Sequence, residues 1–402
     1  MEHLTRDTYI LKPEGLVKFY LYKDDSSSIP SKSMNVFYNE KMEINRDISI
    51  LAIKAYNNIF MDEPFEVVDC MAASGVTSLR LLKNSIDIEK IYINDINPVA
   101  VSLIGKNLEL NCIKSDRTAV SNKDANLLFL EISQKNRLPD VISIDPFGTP
   151  NIYVDSAFKA IKKNDGLMCI TATDTAVLFG VKPKACIRKY MSKPIHSEYC
   201  KEIGARILLY FISRIANINN LGITPLLTFY SKHFIRVFAL TYSGKKKIKK
   251  NSITSYGYLI HCEKCGYRTT VSEIKQSTFH TCPICLNNDY VQHFGPLWIK
   301  DLHQKPFLDE VTSINEQMLF NNRKHLDKLI KFAIQEIDMP TSYYNIHKLC
   351  QKLKLSNIPK LDNLIEIIKE NGYKASRTQF DFISIKTNMR IDELKALLLK
   401  IR

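Results

Sequence analysis

The sequence lacks the glycine-rich loops by which most nucleotide-binding folds hold phosphate groups. Only 13 of its 402 residues are glycine, and neither a GxGxxG motif nor a Gly-Lys-Ser/Thr sequence occurs. These absences disfavour a nicotinamide-dependent dehydrogenase and a P-loop NTPase. No apolar run is long enough to cross a bilayer, and Met1-Glu2-His3 does not begin a signal-peptide pattern. We therefore expect an intracellular protein, in nucleus or cytoplasm, without membrane association.

Composition indicates a globular protein of two domains in a reducing compartment. Hydrophobic residues make up 45% and charged residues 24% of the chain, enough for a buried core. Ten cysteines in such a compartment favour free thiols or metal ligands over disulfides. The net charge of +14 is concentrated after residue 240, where 26 Lys and Arg face 16 Asp and Glu. This excess favours a nucleic acid as partner, whereas no obligatory protein partner is evident.

Acidic residues stand at or near the ends of four strand-like segments. They are Asp69, Asp95, Asp124 and Asp145. Helical patterns separate the segments, which is typical of an α/β fold with a parallel sheet. Such sheets bind ligands at the carboxyl ends of their strands. We therefore expect these carboxylates to share one site.

The spacing of these acids suits a nucleoside ligand. The small residues that end at Gly75 let a ligand approach the backbone closely. Asp95 lies 20 residues further on, where a carboxylate can accept hydrogen bonds from a ribose diol. Asp124, followed by the small Ala125, suits an adenine amino group. Each acid alone could be a helix cap, and Asp124 stands directly before a helical segment.

The segment Asp145-Pro146-Phe147-Gly148 follows a short β-branched run at 141–144. Its residue types suit methylation of an exocyclic amine on a nucleobase, whose lone pair is delocalised into the ring. A carboxylate and a backbone carbonyl that accept the two N–H groups localise that lone pair, while an aromatic ring stacks on the base. An ordinary turn after a strand is the alternative interpretation.

This order of motifs resembles the class I S-adenosylmethionine-dependent methyltransferases, and more closely the tRNA guanine-26 N2-dimethyltransferase family. The motifs that carry the resemblance span nearly the whole chain: Val36-Phe37-Tyr38-Asn39, Asn45-Arg46-Asp47, Ala73-Ser74-Gly75, Asn94-Asp95-Ile96, Asp124-Ala125-Asn126, Asp145-Pro146-Phe147-Gly148-Thr149-Pro150, Thr171-Ala172-Thr173-Asp174 and Gly295-Pro296-Leu297-Trp298. The resemblance implies a Rossmann-like methyltransferase domain that transfers methyl groups from S-adenosyl-L-methionine to N2 of guanosine 26 in tRNA, first once and then twice.

The resemblance also implies roles for individual residues. The residues implied to bind the methyl donor are Arg46, Asp69, Gly75, Thr77, Asp95, Asp124 and Ala125. Asp145 would be the catalytic carboxylate, Pro146 would offer its carbonyl, and Phe37 and Phe147 would sandwich the guanine. The family often has an arginine two residues after the loop glycine. Thr77 stands there in this chain, and Arg80 follows one turn later.

Two CxxC pairs in the second half of the chain predict a metal site. Cys262 and Cys265 are separated by 16 residues from Cys282 and Cys285. Two such pairs bring four thiolates to a tetrahedral Zn²⁺ with no open position, which is typical of a structural site. Two disulfides or unligated thiols are the alternatives.

The remaining C-terminal sequence predicts a mostly helical tRNA-binding region, with an amphipathic helix from Asn315 to Glu336. We place the catalytic domain at 1–243 and the binding domain at 244–402, with the zinc site at about 258–290. Predicted helices at 344–353 and 361–370, followed by a strand-like segment at 373–387 with Lys374, Arg377 and Lys386, resemble a winged helix at about 340–390. A structural cap is the alternative, but the basic strand suits RNA phosphates. The lysine-rich run at 244–250 is typical of a linker or hairpin tip.

Three other functions remain open at this point. The chain could methylate an amino group on DNA adenine or on another RNA. It could also be a zinc-ribbon RNA-binding protein with an inactive cofactor pocket. The third, a nicotinamide dehydrogenase, is disfavoured by the missing glycines.

Overall fold

A computed structural model describes residues 8–25, 34–272 and 281–401. The chain divides into two compact units that are each built from three separate stretches. The first comprises Met1–Thr171, Arg236–Ser243 and Asp309–Asp327, and the second Ala172–Ile235, Gly244–Leu308 and Lys328–Arg402. One boundary lies between Ser243 and Gly244, where the composition changes. The functional division of the chain at that point stays a prediction.

A mostly parallel sheet forms the centre of the first unit. Two strands, β1 (Tyr9–Glu14) and β2 (Val17–Tyr22), form a separate hairpin. The strands that this unit contributes to the central sheet are β3 (Phe65–Asp69), β4 (Ile88–Asn94), β5 (Thr118–Ser121), β6 (Val141–Ile144), β7 (Leu167–Ala172) and β9 (Phe234–Ser243). Their order in the sheet is β5-β4-β3-β6-β7-β9, and the neighbours from β5 to β7 run parallel. The order reverses beside β3, and open α/β sheets bind ligands at such a switch point.

Helices follow the strands of the first unit, as the alternating pattern predicts. They are α1 (Glu43–Phe60), α2 (Val76–Lys83), α3 (Pro98–Leu110), α4 (Ala125–Ile132) and α5 (Asn151–Ala160), with short 3-10 turns at Lys23–Asp25, Glu40–Met42 and Ser115–Arg117. The core between them is apolar, and all four residues of β6 are buried. Burial on both faces explains why three of the four residues of β6 are β-branched and apolar and why the strand does not alternate with charged residues.

The second unit contains the remaining elements. These are α6 (Thr175–Leu178), α7 (Pro183–Tyr190), α8 (Cys200–Ile218), β8 (Leu221–Ser231), α9 (Lys245–Ser255), β10 (Tyr256–Cys262), β11 (Arg268–Val271), β12 (Val291–Trp298), β13 (Tyr344–Asn345), α12 (Ile346–Lys352), α13 (Leu361–Glu370), β14 (Ala375–Arg377), β15 (Ser384–Thr387) and α14 (Ile391–Lys400). Helices α10 (Lys305–Gln317) and α11 (Arg323–Gln335) each include residues of both units.

Two antiparallel sheets organise the second unit. One has the order β11-β10-β12, and the turn between β10 and β11 holds the first CxxC pair. The other has the order β13-β15-β14 and packs with α12, α13 and α14 around one apolar cluster. The predicted helix pair followed by a β element is therefore confirmed. The second helix, α13, has the predicted bounds, whereas the first begins at Ile346 because Tyr344 and Asn345 pair with β15.

Three sequence-based expectations for this part of the chain are wrong. The lysine-rich run is not a linker, because residues from Lys245 onward form helix α9. A single amphipathic helix expected from Asn315 to Glu336 is interrupted between α10 and α11. Lys386 does not offer its charge to RNA, because its side chain is 1% exposed and its Nζ donates to Glu202 Oε1 over 2.6 Å.

In the described parts of the chain, no helix combines the length and the apolar character needed to cross a membrane.

Candidate active site

The site begins where β6 ends. Asp145 and Pro146 follow the strand directly, and the exposed Phe147 comes next. Gly148 then takes a φ of 112°, a backbone conformation that side chains rarely allow, although a Cβ there would meet no atom within 4 Å. Glycine is therefore needed here because of its backbone conformation, and not because a side chain would clash with a neighbour. It turns the chain sharply after the aromatic ring.

A cavity of about 460 Å³ opens at this edge of the sheet. Seven residues that the sequence singled out line it: Phe37, Asp95, Asp124, Ala125, Asp145, Pro146 and Phe147. Eight residues without a predicted role complete the lining: Cys70, Met71, Ala73, Ile96, Lys123, Thr149, Ile152 and Tyr153. The expectation that strand-end carboxylates share one site is met for Asp95, Asp124 and Asp145.

The carboxylate of Asp95 is held in place by two backbone amides. Ala73 donates its N–H to Oδ2 over 2.8 Å, and Asn97 donates to Oδ1 over 2.9 Å. Burial raises the pKa of Asp95, and these backbone hydrogen bonds oppose the rise. Each carboxylate oxygen can accept more than one hydrogen bond, so the group retains acceptor capacity toward the cavity.

Asp124 both caps a helix and lines the cavity. Its Oδ1 accepts from the backbone N–H groups of Asn126 (2.8 Å) and Leu127 (3.3 Å) at the start of α4. The capping interpretation is therefore correct for one oxygen of this carboxylate. Ala125, the first residue of α4, also lines the cavity, so the backbone approaches a ligand closely here.

Asp145 receives a hydrogen bond that sequence reasoning did not assign. The amide Nδ2 of Asn45, on α1, donates to Asp145 Oδ2 over 2.8 Å. Asn45 is 2% exposed, and among the described residues its Oδ1 has no hydrogen-bond partner. A buried amide with an unsatisfied oxygen costs free energy. Its position next to Arg46 in a family motif was the only signal in the sequence.

The two aromatic rings of the cavity lie in contact with each other. The ring centroids of Phe37 and Phe147 are 5.5 Å apart, and the ring planes meet at 82°. A base between two parallel rings needs about 7 Å, which is twice the contact distance of carbon atoms. At least one ring must therefore rotate before a base can enter. Phe147 is 55% exposed and so has room to move.

Three predicted cofactor residues lie behind this lining. Asp69 is buried and accepts from Ser78 Oγ over 2.7 Å. Burial raises the pKa of Asp69 to about 6 against the effect of that hydrogen bond, and the charge of Asp145 adds to the rise. Gly75 precedes α2 with a φ of 78°, and a Cβ there would lie 3.2 Å from Ile104. Thr77 is half-buried on α2.

Arg46 and Arg80 belong to a buried cluster of charges. Arg46 donates to both carboxylate oxygens of Glu14, over 2.7 and 2.6 Å. Arg80 pairs with Glu14 over 2.6 Å and also with Asp47. Burial opposes ionisation of Glu14, but the two guanidinium groups outweigh it and lower its pKa. Neither arginine is among the described residues that line the cavity.

The segment between α10 and α11 covers this charge cluster. Asn322 donates to Asp47 Oδ2 over 3.0 Å, and the ring of Phe320 lies 5.6 Å from the Arg80 guanidinium carbon. Both residues come from the third stretch of the first unit, which is distant in sequence from α1 and α2. The cluster therefore ties the beginning of the chain to residues far along the sequence.

The four predicted cysteine ligands lie together in the second unit. The sulfur atoms of Cys262, Cys265, Cys282 and Cys285 all lie within 4.8 Å of one another. The Cys262–Cys285 and Cys265–Cys282 sulfur distances are 3.6 and 3.5 Å. Sulfurs that share a tetrahedral Zn²⁺ at 2.3 Å are about 3.8 Å apart, whereas a disulfide bond measures about 2 Å. The cluster therefore fits a structural zinc ion.

Comparison with known proteins agrees with this geometry. Residues 18–399 match the model of the TRM family, N2,N2-dimethylguanosine tRNA methyltransferases. The tRNA (guanine(26)-N(2))-dimethyltransferase of Methanosphaera stadtmanae is 37% identical over 397 residues, and that of Methanobrevibacter smithii is 35% identical over 395 residues. In both pairs the match covers 98% of each chain.

A solved structure extends the agreement to the fold. Trm1 from Pyrococcus horikoshii, in complex with S-adenosyl-L-methionine, superposes with a TM-score of 0.81 and 29% identity. The match covers 96% of this chain and 98% of that one. Sequence and fold therefore agree over almost the full length, and the chain belongs to the N2,N2-dimethylguanosine tRNA methyltransferase family.

Proposed function

We propose that this protein transfers methyl groups from S-adenosyl-L-methionine to the exocyclic N2 amine of guanosine 26 in tRNA, first one and then a second. The observation that carries the proposal is the cavity at the sheet edge. It joins Asp145, held by Asn45, to a contacting pair of phenylalanines and to two further strand-end carboxylates, Asp95 and Asp124. The names of the relatives and of the Pyrococcus complex support the same donor and substrate.

The donor site is proposed from the strand ends. Asp95 would accept hydrogen bonds from the ribose hydroxyls, because two backbone amides already orient its carboxylate. Asp124 would accept from the adenine amino group, and the backbone at Ala125 would address a ring nitrogen. When bound, S-adenosyl-L-methionine supplies an electrophilic methyl group on its sulfonium.

The remaining donor contacts are proposed for residues behind the cavity wall. Gly75 permits close backbone approach, and Thr77 stands on the first turn of α2. Asp69 lies behind the loop as a negative charge. Arg46 would reach the methionine end only by exchanging its ion pair with Glu14, which is buried and bidentate.

The target guanine would occupy the space between Phe37 and Phe147. Its entry requires that the base leaves its stack in the tRNA and that the two rings separate. Asp145 and the carbonyl of Pro146 would then accept the two N–H bonds of the amine. This interaction localises the nitrogen lone pair and orients it toward the methyl group.

The chain would contribute orientation and charge instead of covalent catalysis. The methyl donor is already activated, so the carboxylate of Asp145 has two tasks: it aligns the amine and takes up, directly or through water, the proton that the methylated nitrogen loses. The amide of Asn45 fixes one oxygen of Asp145 for both tasks. A second round requires the same arrangement with one N–H replaced by N–CH₃.

The second unit would hold the tRNA, with its four cysteines around a structural zinc ion. The excess of positive charge in the sequence after residue 240 supports binding to the phosphate backbone. The metal would have no part in the chemistry, because four thiolates complete a tetrahedral shell.

The proposal is tested by incubating the protein with methyl-labelled S-adenosyl-L-methionine and two unmodified tRNA transcripts that differ only at position 26, guanosine or adenosine. We expect label in N2-methylguanosine and then in N2,N2-dimethylguanosine of the first transcript only. Equal labelling of both transcripts, or label in another base, would show that the substrate is different. No binding of the methyl donor by calorimetry would instead support an inactive pocket.

A further inference from the structure

A second cavity, of about 390 Å³, lies wholly within the second unit and next to the four-cysteine cluster. We call it the basic cavity. Its walls come from the turn between β10 and β11, from α12 and from α14. Five cations contribute to the lining: Lys264, Arg268, Lys348, Lys352 and Lys395. The volume is within the range of ligand-binding sites, about 300–1,000 Å³.

The two carboxylates of the basic cavity do not neutralise its lysines. Glu198 lies 3.7 Å from a guanidinium nitrogen of Arg268, and Glu263 accepts from Gln292 Nε2 over 2.8 Å. Neither interaction involves a lysine. Lys348 and Lys352 stand one turn apart on α12 and are both exposed. The rim therefore presents a concentrated positive charge to solvent.

Arg268 forms the buried floor of the basic cavity. The Arg268 side chain is 5% exposed, and its guanidinium carbon lies 3.8 Å from the ring centroid of Tyr344 and 4.3 Å from that of Tyr199. Arg268 also donates to the carbonyl of Tyr343. Its Nε is buried without a hydrogen-bond partner among the described residues. An unsatisfied, buried cationic donor favours an anion nearby.

The ligand class follows from which groups are accessible. Tyr199 is 1% and Tyr344 is 8% exposed, so neither ring can stack on a nucleobase. The exposed cations of the lining are the ammonium ions of Lys264, Lys348 and Lys352, which bind phosphates as point charges. The cavity thus suits the sugar–phosphate backbone of a nucleic acid and not a base.

We propose that the basic cavity binds a backbone segment of the substrate tRNA and so positions the molecule on the enzyme. The inference rests on the proposed function for the identity of the RNA. Lys348, Lys352 and Lys264 at the rim contact phosphates, while the buried Arg268, paired with Glu198, forms the floor beneath them. Lys395 holds α14 next to the cysteine turn, because its Nζ donates to the carbonyl of Cys265 over 2.7 Å.

The test compares two double variants of the full-length, zinc-loaded protein. Lys348→Gln with Lys352→Gln removes two charges from the rim. Lys360→Gln with Lys369→Gln removes the same charge from exposed positions of the same unit that do not line the cavity. Binding of unmodified tRNA is measured by fluorescence anisotropy across a range of salt concentrations.

We expect the rim variant to bind tRNA at least tenfold more weakly at low salt than the control variant. The dependence of log K on log salt should become shallower by about 0.7–0.9 for each phosphate that the protein no longer neutralises. Equal weakening by both variants would overturn the inference, because only overall charge would then matter. Lys264→Glu, on the cysteine turn, gives an independent second measurement with the same expected direction.

Failure of this inference can be distinguished from failure of the proposed function. If the rim variant binds like the control while the wild type still methylates guanosine 26, the cavity assignment is wrong and the activity stands. If the wild type binds tRNA through the rim but transfers no methyl group, the activity is wrong and the cavity assignment stands. Donor affinity and zinc content, measured on every variant, must remain unchanged.

Discussion

Two carboxylates of this protein, one in each unit, differ in their surroundings: one is paired with cations inside its unit, and the other faces a cavity. Glu202 on α8 is fully buried and accepts from Arg206 Nε over 2.9 Å and from Lys386 Nζ over 2.6 Å. Asp145 at the end of β6 is half-buried, lines a cavity and accepts from the neutral amide of Asn45.

The difference lies in the charge of the partner. Burial raises the pKa of Glu202, but the positive charges of Lys386 and Arg206 outweigh the effect of burial. The pKa of Glu202 therefore lies below its usual value. Its negative charge is therefore neutralised inside the unit. The neutral donor on Asp145 orients one oxygen but leaves the charge available to a ligand. Five predictions test this difference between the two carboxylates.

The largest effect is expected for Asp145→Ala. Loss of the carboxylate should reduce the single-turnover rate of methyl transfer to tRNA by about 10²–10⁴-fold, the range for a positioned acid or base. The affinity for S-adenosyl-L-methionine, measured by calorimetry, should change little. Asp116→Ala, at an exposed position, serves as the control. A rate close to that of the wild type would show that Asp145 does not have the proposed catalytic role.

Lys386→Met should leave the activity of the folded protein intact but destabilise the second unit. The substitution removes one of the two cations that Glu202 binds and leaves Arg206 as the other. We therefore expect a cost of about 3 kcal/mol, the low end of the range for a buried ion pair that loses a partner. Urea denaturation, followed by fluorescence and circular dichroism, measures the change. Lys374→Met, at a position outside this ion pair, should change the free energy of unfolding by less than about 0.5 kcal/mol. Equal stabilities of the two variants would contradict the structural role of Glu202.

Asn45→Ala tests whether the neutral donor positions Asp145. A hydrogen bond to a charged group contributes about 1.5–3 kcal/mol, so kcat should fall by about tenfold to a hundredfold. The KM for the methyl donor should stay constant.

Asn45→Asp tests the same interaction more sharply than Asn45→Ala does. A second carboxylate within hydrogen-bond distance of Asp145 disfavours ionisation of both, so the acidic limb of the pH–rate profile should move to higher pH. A residue with a purely structural role would lower the amount of folded enzyme without moving that limb.

The smallest effect concerns the dependence of stability on pH. The pKa of Glu202 in the folded protein lies below its ordinary value of 4.5. Its stabilising contribution is therefore fully present above about pH 4.5 and is lost as the pH falls through the lowered value. In Glu202→Gln this contribution is missing at all pH values. As the pH falls below about 4.5 toward the lowered pKa, the variant should therefore lose less unfolding free energy than the wild type does, by up to about 1.4 kcal/mol per pH unit.

Local chemistry made much of the site predictable from the sequence. The strand 141–144 and the acid that follows it were identifiable because a buried parallel strand must be apolar and must end abruptly where a ligand binds. The four cysteines were identifiable because metal geometry dictates their spacing. Neither inference needs to know what the distant parts of the chain do.

Long-range partners were not predictable in the same way. Arg46 was expected to face a ligand, but the structure pairs it with Glu14, which comes from the β1–β2 hairpin. Lys386 looked like a surface cation in a basic strand, yet its partner Glu202 lies 184 positions earlier. A charged side chain carries no local signal of whether its partner will be solvent, ligand or another residue of the chain.

The threading of the chain through its two units has a practical consequence for experiments with fragments. A polypeptide ended at Ser243 would lack the stretch Asp309–Asp327 and, with it, the amide of Asn322 that binds Asp47 and the ring of Phe320 beside Arg80. It would expose to solvent a cluster of paired charges that is buried in the intact chain. Such a truncated enzyme should be less soluble and less stable than its length suggests, so dissection of this protein is better done by point substitution than by cutting.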